Sequence, residues 1–209
     1  MVASPVDDVI TTAAIIRLAR VILNYIIPSK NQCMSCHENQ RVLRPIGLKA
    51  RHLNRDYVYA GGRENQLVRW QRRGLLEGAP PPDRAPRLPV WNNPQADTLD
   101  QRARAYLEIN CAHCHNPNGP ARTSGLDLLA AQADPTKWGV RKTPIAAGRG
   151  TGGRAFDIVP GQPDASILLF RMQSTDPGVM MPELPRRLVD AEGVALIREW
   201  IGKMTGREP

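Results

Sequence analysis

Apolar side chains recur at helical spacing between residues 98 and 107. Leu99, Ala103, Tyr106 and Leu107 share one face of a predicted helix. Thr98 stands at its start as an N-cap, and Gln101 three residues on completes a capping box. That face runs directly into Cys111. The same period returns after Asp190, the cap of a second helix lined by Val194, Ile197, Trp200, Ile201 and Met204. Between them "PDASILLFRM" predicts a short helix with Pro163 in its first turn. Leu67, Trp70 and Leu75 mark the apolar side of another helix upstream. At the N-terminus Ile10, Ala14, Leu18 and Val21 predict an amphipathic helix, and no alternating strand of any length is visible.

The chain divides where this periodicity stops. "GAPPPDRAPRLPVWNNP" has too many prolines for a regular helix and reads as a linker draped over the surface, residues 78–97. It separates a first unit, 25–77, from a second, 98–209. Residues 1–24 read as a truncated or non-native segment. Asp7 and Asp8 occupy the place where a signal peptide carries positive charge. Arg17 and Arg20 sit near the middle of the apolar stretch and disfavour a membrane span. Nineteen prolines and 17 glycines call for long loops and short helices.

Composition adds two constraints. Aromatic residues make up only 5%, thin for two separate cores unless a flat apolar group is supplied from outside. The net charge of +8 has no basic stripe interleaved with aromatics, so nucleic acid is not the expected partner. "GRGTGGR" resembles a phosphate loop but lacks its Gly-Lys-Ser/Thr ending.

The cysteines carry the strongest signal. All four lie in two C-x-x-C pairs, Cys33/Cys36 and Cys111/Cys114, each followed at once by a histidine, His37 and His115. This is the spacing of covalent haem c attachment. The two thiols each add to a vinyl group, and the next imidazole lies under the ring as proximal iron ligand. A zinc site built from all four cysteines has no use for a histidine after each pair, and ribbon-type spacings are much shorter than the gap from Cys36 to Cys111. A redox dithiol would want a sheet pattern that is absent.

Each iron has a second axial position. For the second haem "DPGVMMPELP" offers Met181, with Met180 and Met172 as alternatives, because a methionine there raises the potential and suits electron transfer. For the first haem the nearest histidine is His52; Lys49, a methionine from the second unit and an open position compete with it. The Pro120 carbonyl is expected to orient His115. Arg149, Arg154 and Trp138 are expected near the haem propionates. His113, inside the second motif, reads as an incidental loop residue.

From "YIIPSKNQCMSCH" to the C-terminus the sequence resembles a family of bacterial di-haem c-type cytochromes, largely of unassigned function. The likeness is carried by "PIGLKARHLNRDY", "YLEINCAHCHNPNGPARTSGLDL", "PIAAGRGTGGRAFDIVPGQPDASIL", "MMPELPR" and "EGVALIREWI". The last part also looks like class I cytochrome c, in which the first and last helices cross and a Met-Pro methionine ligates iron. The resemblance implies a mainly α fold, two cytochrome c-like helical units with long loops, and two covalently attached haem c groups. It implies a periplasmic or exported protein, although no signal peptide is evident in this chain. The function it implies is one-electron transfer between redox partner proteins, with acidic ones plausible for a basic surface. The alternatives are a peroxidase-like enzyme with one open haem iron and a structural zinc module.

Overall fold

The computed structural model describes residues 13–18, 21–39 and 42–205. It opens with an antiparallel hairpin, β1 (Ala13–Leu18) and β2 (Val21–Ile26), in which Leu18 pairs with Val21. Residues 14, 18 and 21 of the expected amphipathic helix therefore lie in strands, and Ile10 lies outside the described residues. The β-branched run Ile15, Ile16, Val21, Ile22 suits a pleated ladder better than a helix.

Helix α1 (Lys30–His37) follows, started by a full capping box between Ser29 and Gln32. Then come a two-residue hairpin, β3 (Glu38–Asn39) with β4 (Val42–Leu43), a single turn α2 (Ala50–Leu53), and a third hairpin, β5 (Asp56–Tyr59) with β6 (Gly62–Asn65). Helix α3 (Gln66–Arg72) buries Leu67, but Leu75 lies beyond its end and is exposed.

The long helices are α4 (Leu99–Asn110) and, after the single turn α5 (Pro135–Trp138) and the two-turn α6 (Ile167–Gln173), α7 (Ala191–Lys203). Thr98 caps α4 through the Gln101 amide, as expected; its own amide goes to Asp97 rather than to Gln101. Pro163 opens a separate 3-10 turn, Pro163–Ala165, before α6.

Among the described residues one core is present, and it belongs to the C-terminal part. Ala103, Tyr106 and Leu107 of α4 pack with Leu169 and Met172 of α6 and Ile197, Trp200 and Ile201 of α7. Hydrogen bonds tie the α4–α7 contact at both ends: Tyr106 Oη donates to Asp190 at 3.0 Å and Trp200 Nε1 to Asp100 at 2.8 Å. Gly193 permits the close approach, since a methyl group there would overlap the Tyr106 ring.

This corrects the expected fold class. The described residues form a mix of short helices, loops and three two-stranded hairpins rather than two cytochrome c-like helical units. The described residues of 25–77 form no core of their own: α1 and α2 bury nothing, and Met34, Val42, Leu43, Ile46, Leu48 and Val58 are exposed. A segment with so little apolar surface out of water cannot offset its ordering entropy alone.

The proline-rich stretch is held down rather than merely draped. Buried Asn54 donates to the carbonyls of Pro82 and Ala85 at 2.8 and 3.0 Å. Leu88 N–H reaches Arg51 O at 2.9 Å, and Trp91 meets Tyr106 edge to face at 5.0 Å.

Candidate functional site

The second motif is positioned by the end of α4. Cys111 is the C-cap residue, and the amides of Cys114 and His115 fold back onto its carbonyl at 3.1 and 2.9 Å. His115 Nδ1 lies 3.1 Å from Ser124 Oγ, whose own proton goes to Ala121 O at 2.7 Å. The hydroxyl has one proton, so it must accept from the imidazole. Nδ1 therefore carries hydrogen and Nε2 keeps its lone pair, the tautomer an iron ligand needs. Ser124, not the Pro120 carbonyl, is the orienting acceptor. Burial, with the Arg171 charge adding to it, pushes His115 down to about 4, so the ring is neutral at pH 7.

The motif opens into a cavity of about 500 Å3, of the size typical of cofactor pockets. Cys111, Cys114 and His115 line it on one side, and Met181 and Met172 also face it. Met181 is held by its amide on Arg171 O at 3.0 Å. Met180 turns into the core instead and is 4% exposed.

The basic residues at the cavity are not the ones expected. Arg149 forms a two-point pair with Asp176, both contacts 3.0 Å, and Arg154 binds Asp164 O and stacks over Phe170. Arg171 and Arg186 line the cavity instead, alongside Trp138. Arg171 Nε is fixed on Val179 O, and Arg186 on Met172 O and Ser174 O. Their sequence signal was position: each is within five residues of the Met-Pro loop or of Met172.

The first motif comes to the same place. In α1, Cys33 is exposed and Cys36 is half-buried, and Ser35 and Cys36 line the cavity. Cys36 and Cys114 thus line the same cavity, and the nearby Cys36 thiol adds to burial in pushing the Cys114 thiol up. His37 Nδ1 lies 3.0 Å from Arg44 O; a carbonyl only accepts, so this imidazole too presents a bare Nε2.

His52 is placed elsewhere. Its Nε2 contacts Glu108 Oε1 at 3.0 Å in a cluster that also draws in Arg51 and, at 3.8 Å, Lys49. Neither His52 nor Lys49 lines the cavity. His113 does line it, and its buried Nδ1 has no hydrogen-bond partner among the described residues.

The residues fit a covalently held haem. Each motif offers two free thiols and an imidazole whose outer nitrogen is tied to oxygen, and the second faces an apolar cavity with a thioether in its wall. Among the described residues no three His, Cys, Asp or Glu side chains converge as a metal cluster. No described helix is long and apolar enough to cross a membrane. Comparison with protein families, curated proteins and solved structures gave no match.

Proposed function

We propose that this chain is a di-haem c-type cytochrome that passes single electrons between redox partner proteins in an exported compartment. The supporting observation is the cavity in which Cys111, Cys114, His115 and Met181 meet. A haem bound there supplies a one-electron iron couple. The chain's residues do the rest. Cys111 and Cys114 tether the group. Ser124 holds the His115 ring with Nε2 free, which also raises its basicity as a ligand. Met181 offers the thioether that favours the reduced iron. Arg171 and Arg186 bring positive charge to the cavity, where the propionates need it. Cys33, Cys36 and His37 form the second tether. The family resemblance noted from the sequence points the same way.

The test is a haem count. Residues 25 onward are expressed behind a working signal peptide together with the cytochrome c maturation machinery, and a pyridine haemochrome spectrum is recorded on denatured protein. Two covalent haems per chain are expected. No haem, with zinc in its place, sinks the reading, and one haem means that one motif does not function as a tether.

A further inference from the structure

A second cavity, of about 440 Å3, shares a wall with the first: Trp138 lines both. None of the four cysteines lines it, nor do His37, His115 or Met181. Its polar groups come from Arg87, Asp97, Asp100, Gln101 and Arg104. Arg104 is buried, 4% exposed, whereas the other four are exposed. The guanidinium of Arg104 therefore lies at the floor, and the rim carries charges of both signs.

That guanidinium is fixed in place by the fold itself. Its Nη2 donates to the carbonyls of Leu129 and Gln132, both at 2.8 Å. It stacks on Trp138 at 3.7 Å from the ring centroid, and the Trp138 Nε1 is in turn held by Gln132 O at 2.7 Å. Its Nη1 is buried and has no hydrogen-bond partner among the described residues. Burial lowers the Arg104 pKa to about 10, so the group is still a cation at pH 7. A buried cationic donor left unpaired is costly, and an oxygen anion in the plane of the fork removes the cost. Asp100 stands four residues before Arg104, the spacing at which opposite charges usually pair on a helix. It is engaged by Trp200 Nε1 at 2.8 Å instead, and Asp97 takes the Thr98 amide at 2.8 Å.

We propose that this cavity binds an α-amino acid as its zwitterion, with the carboxylate on Arg104 and the ammonium at the rim, between Asp97 and Asp100. Two arginines and two aspartates line the cavity, so it suits a ligand bearing both charges; a bare phosphate or sulfate would meet the two rim carboxylates. Leu88, Pro89 and Trp138 supply apolar wall for the ligand's side chain. Because Arg104 is already stacked and hydrogen-bonded, little ordering remains to oppose binding. The proposal stands apart from the haem reading, since the two cavities share only Trp138.

The test is calorimetric and uses the full chain as it matures. Its Tm is measured with each of the common L-amino acids at roughly 10 mM, where a ligand that binds only the folded chain raises Tm. At least one should do so. For that amino acid, titration calorimetry compares it with the same molecule lacking the amine and with the same molecule lacking the carboxylate; each should bind at least about tenfold more weakly. Arg104→Lys keeps the charge but loses the planar fork, and should weaken binding by a similar factor. Asp97→Asn with Asp100→Asn keeps both acceptor oxygens and should abolish the preference for the amino acid over its deaminated acid; this pair decides the matter where the lysine protein fails to fold. No shift with any amino acid means that the cavity holds water only, and overturns the proposal. Equal binding of the deaminated acid means a plain carboxylate site, and binding untouched by the variants means a site elsewhere; either also overturns it. The haem count is unaffected by all of these outcomes.

Discussion

His52 Nε2 meets Glu108 Oε1 at 3.0 Å across 56 residues of chain, and this contact fastens the segment after the first motif to the helix that carries the second. Glu108 is almost fully buried, with 1% of its side chain exposed, and also takes the Ala130 amide at 2.9 Å and the Arg51 guanidinium. Burial alone would raise its pKa, but the Ala130 amide, Arg51 and His52 outweigh it and hold the carboxyl below its ordinary value. Its stabilisation is therefore complete above the unfolded value of 4.5 and is lost as pH falls through the lower folded one. Glu108→Gln should cost about 3 kcal/mol at pH 7, the low end for a buried pair because its cationic partners stay partly wet. Acid melts of the two proteins check the sign: the variant's Tm should fall less steeply below pH 4.5.

Met181 lines the cavity, whereas the adjacent Met180 is buried away from it. Met181→His should remove the sulfur charge-transfer band of the second haem and lower its potential by on the order of 0.1 V. Met180→Leu, a volume-conserving change in the core, should keep the band and cost under about 1.5 kcal/mol. Spectroelectrochemistry of both variants separates ligand from packing.

Gly193 lies against the Tyr106 ring where α7 meets α4. Gly193→Ala gains helix propensity of about 1 kcal/mol but forces that ring away, and overpacking costs about 1–3 kcal/mol. A net fall in Tm of several degrees is expected by calorimetry. A rise would mean that the helices can separate freely.

The thiols of the unloaded chain should not react alike. Cys33 is exposed. Cys111 and Cys114 are each pushed up to about 12, chiefly by burial, so little thiolate exists at pH 8. Mass spectrometry after brief alkylation should find label at Cys33 and, from thiolate fraction, roughly a thousandfold less at Cys111 and Cys114.

Much of the C-terminal part was legible because its signals are local. Thr98 and Asp190 are caps whose partners lie three residues away, and the apolar faces of α4 and α7 follow the helical period. The N-terminal segment misled for the converse reason: a short apolar run fits either period, and only its isoleucines and valines hinted at strands. The two-unit architecture failed because spacing of motifs says nothing about whether each has a core. Nor does sequence reveal that Asn54 pins the proline-rich stretch or that Glu108 claims His52, since both depend on residues far apart in the chain. The cysteine–histidine spacing was visible at once; that its two copies meet, and that Ser124 orients His115, was not.

Cys33 stands open to solvent on a helix that buries nothing, whereas Cys111 packs against the core that α4 and α7 close around. On the di-haem reading the two tethers would therefore differ in timing. The inner one would have a deadline, set by the moment those helices come together, and the outer one could wait, giving assembly an order from the interior outward.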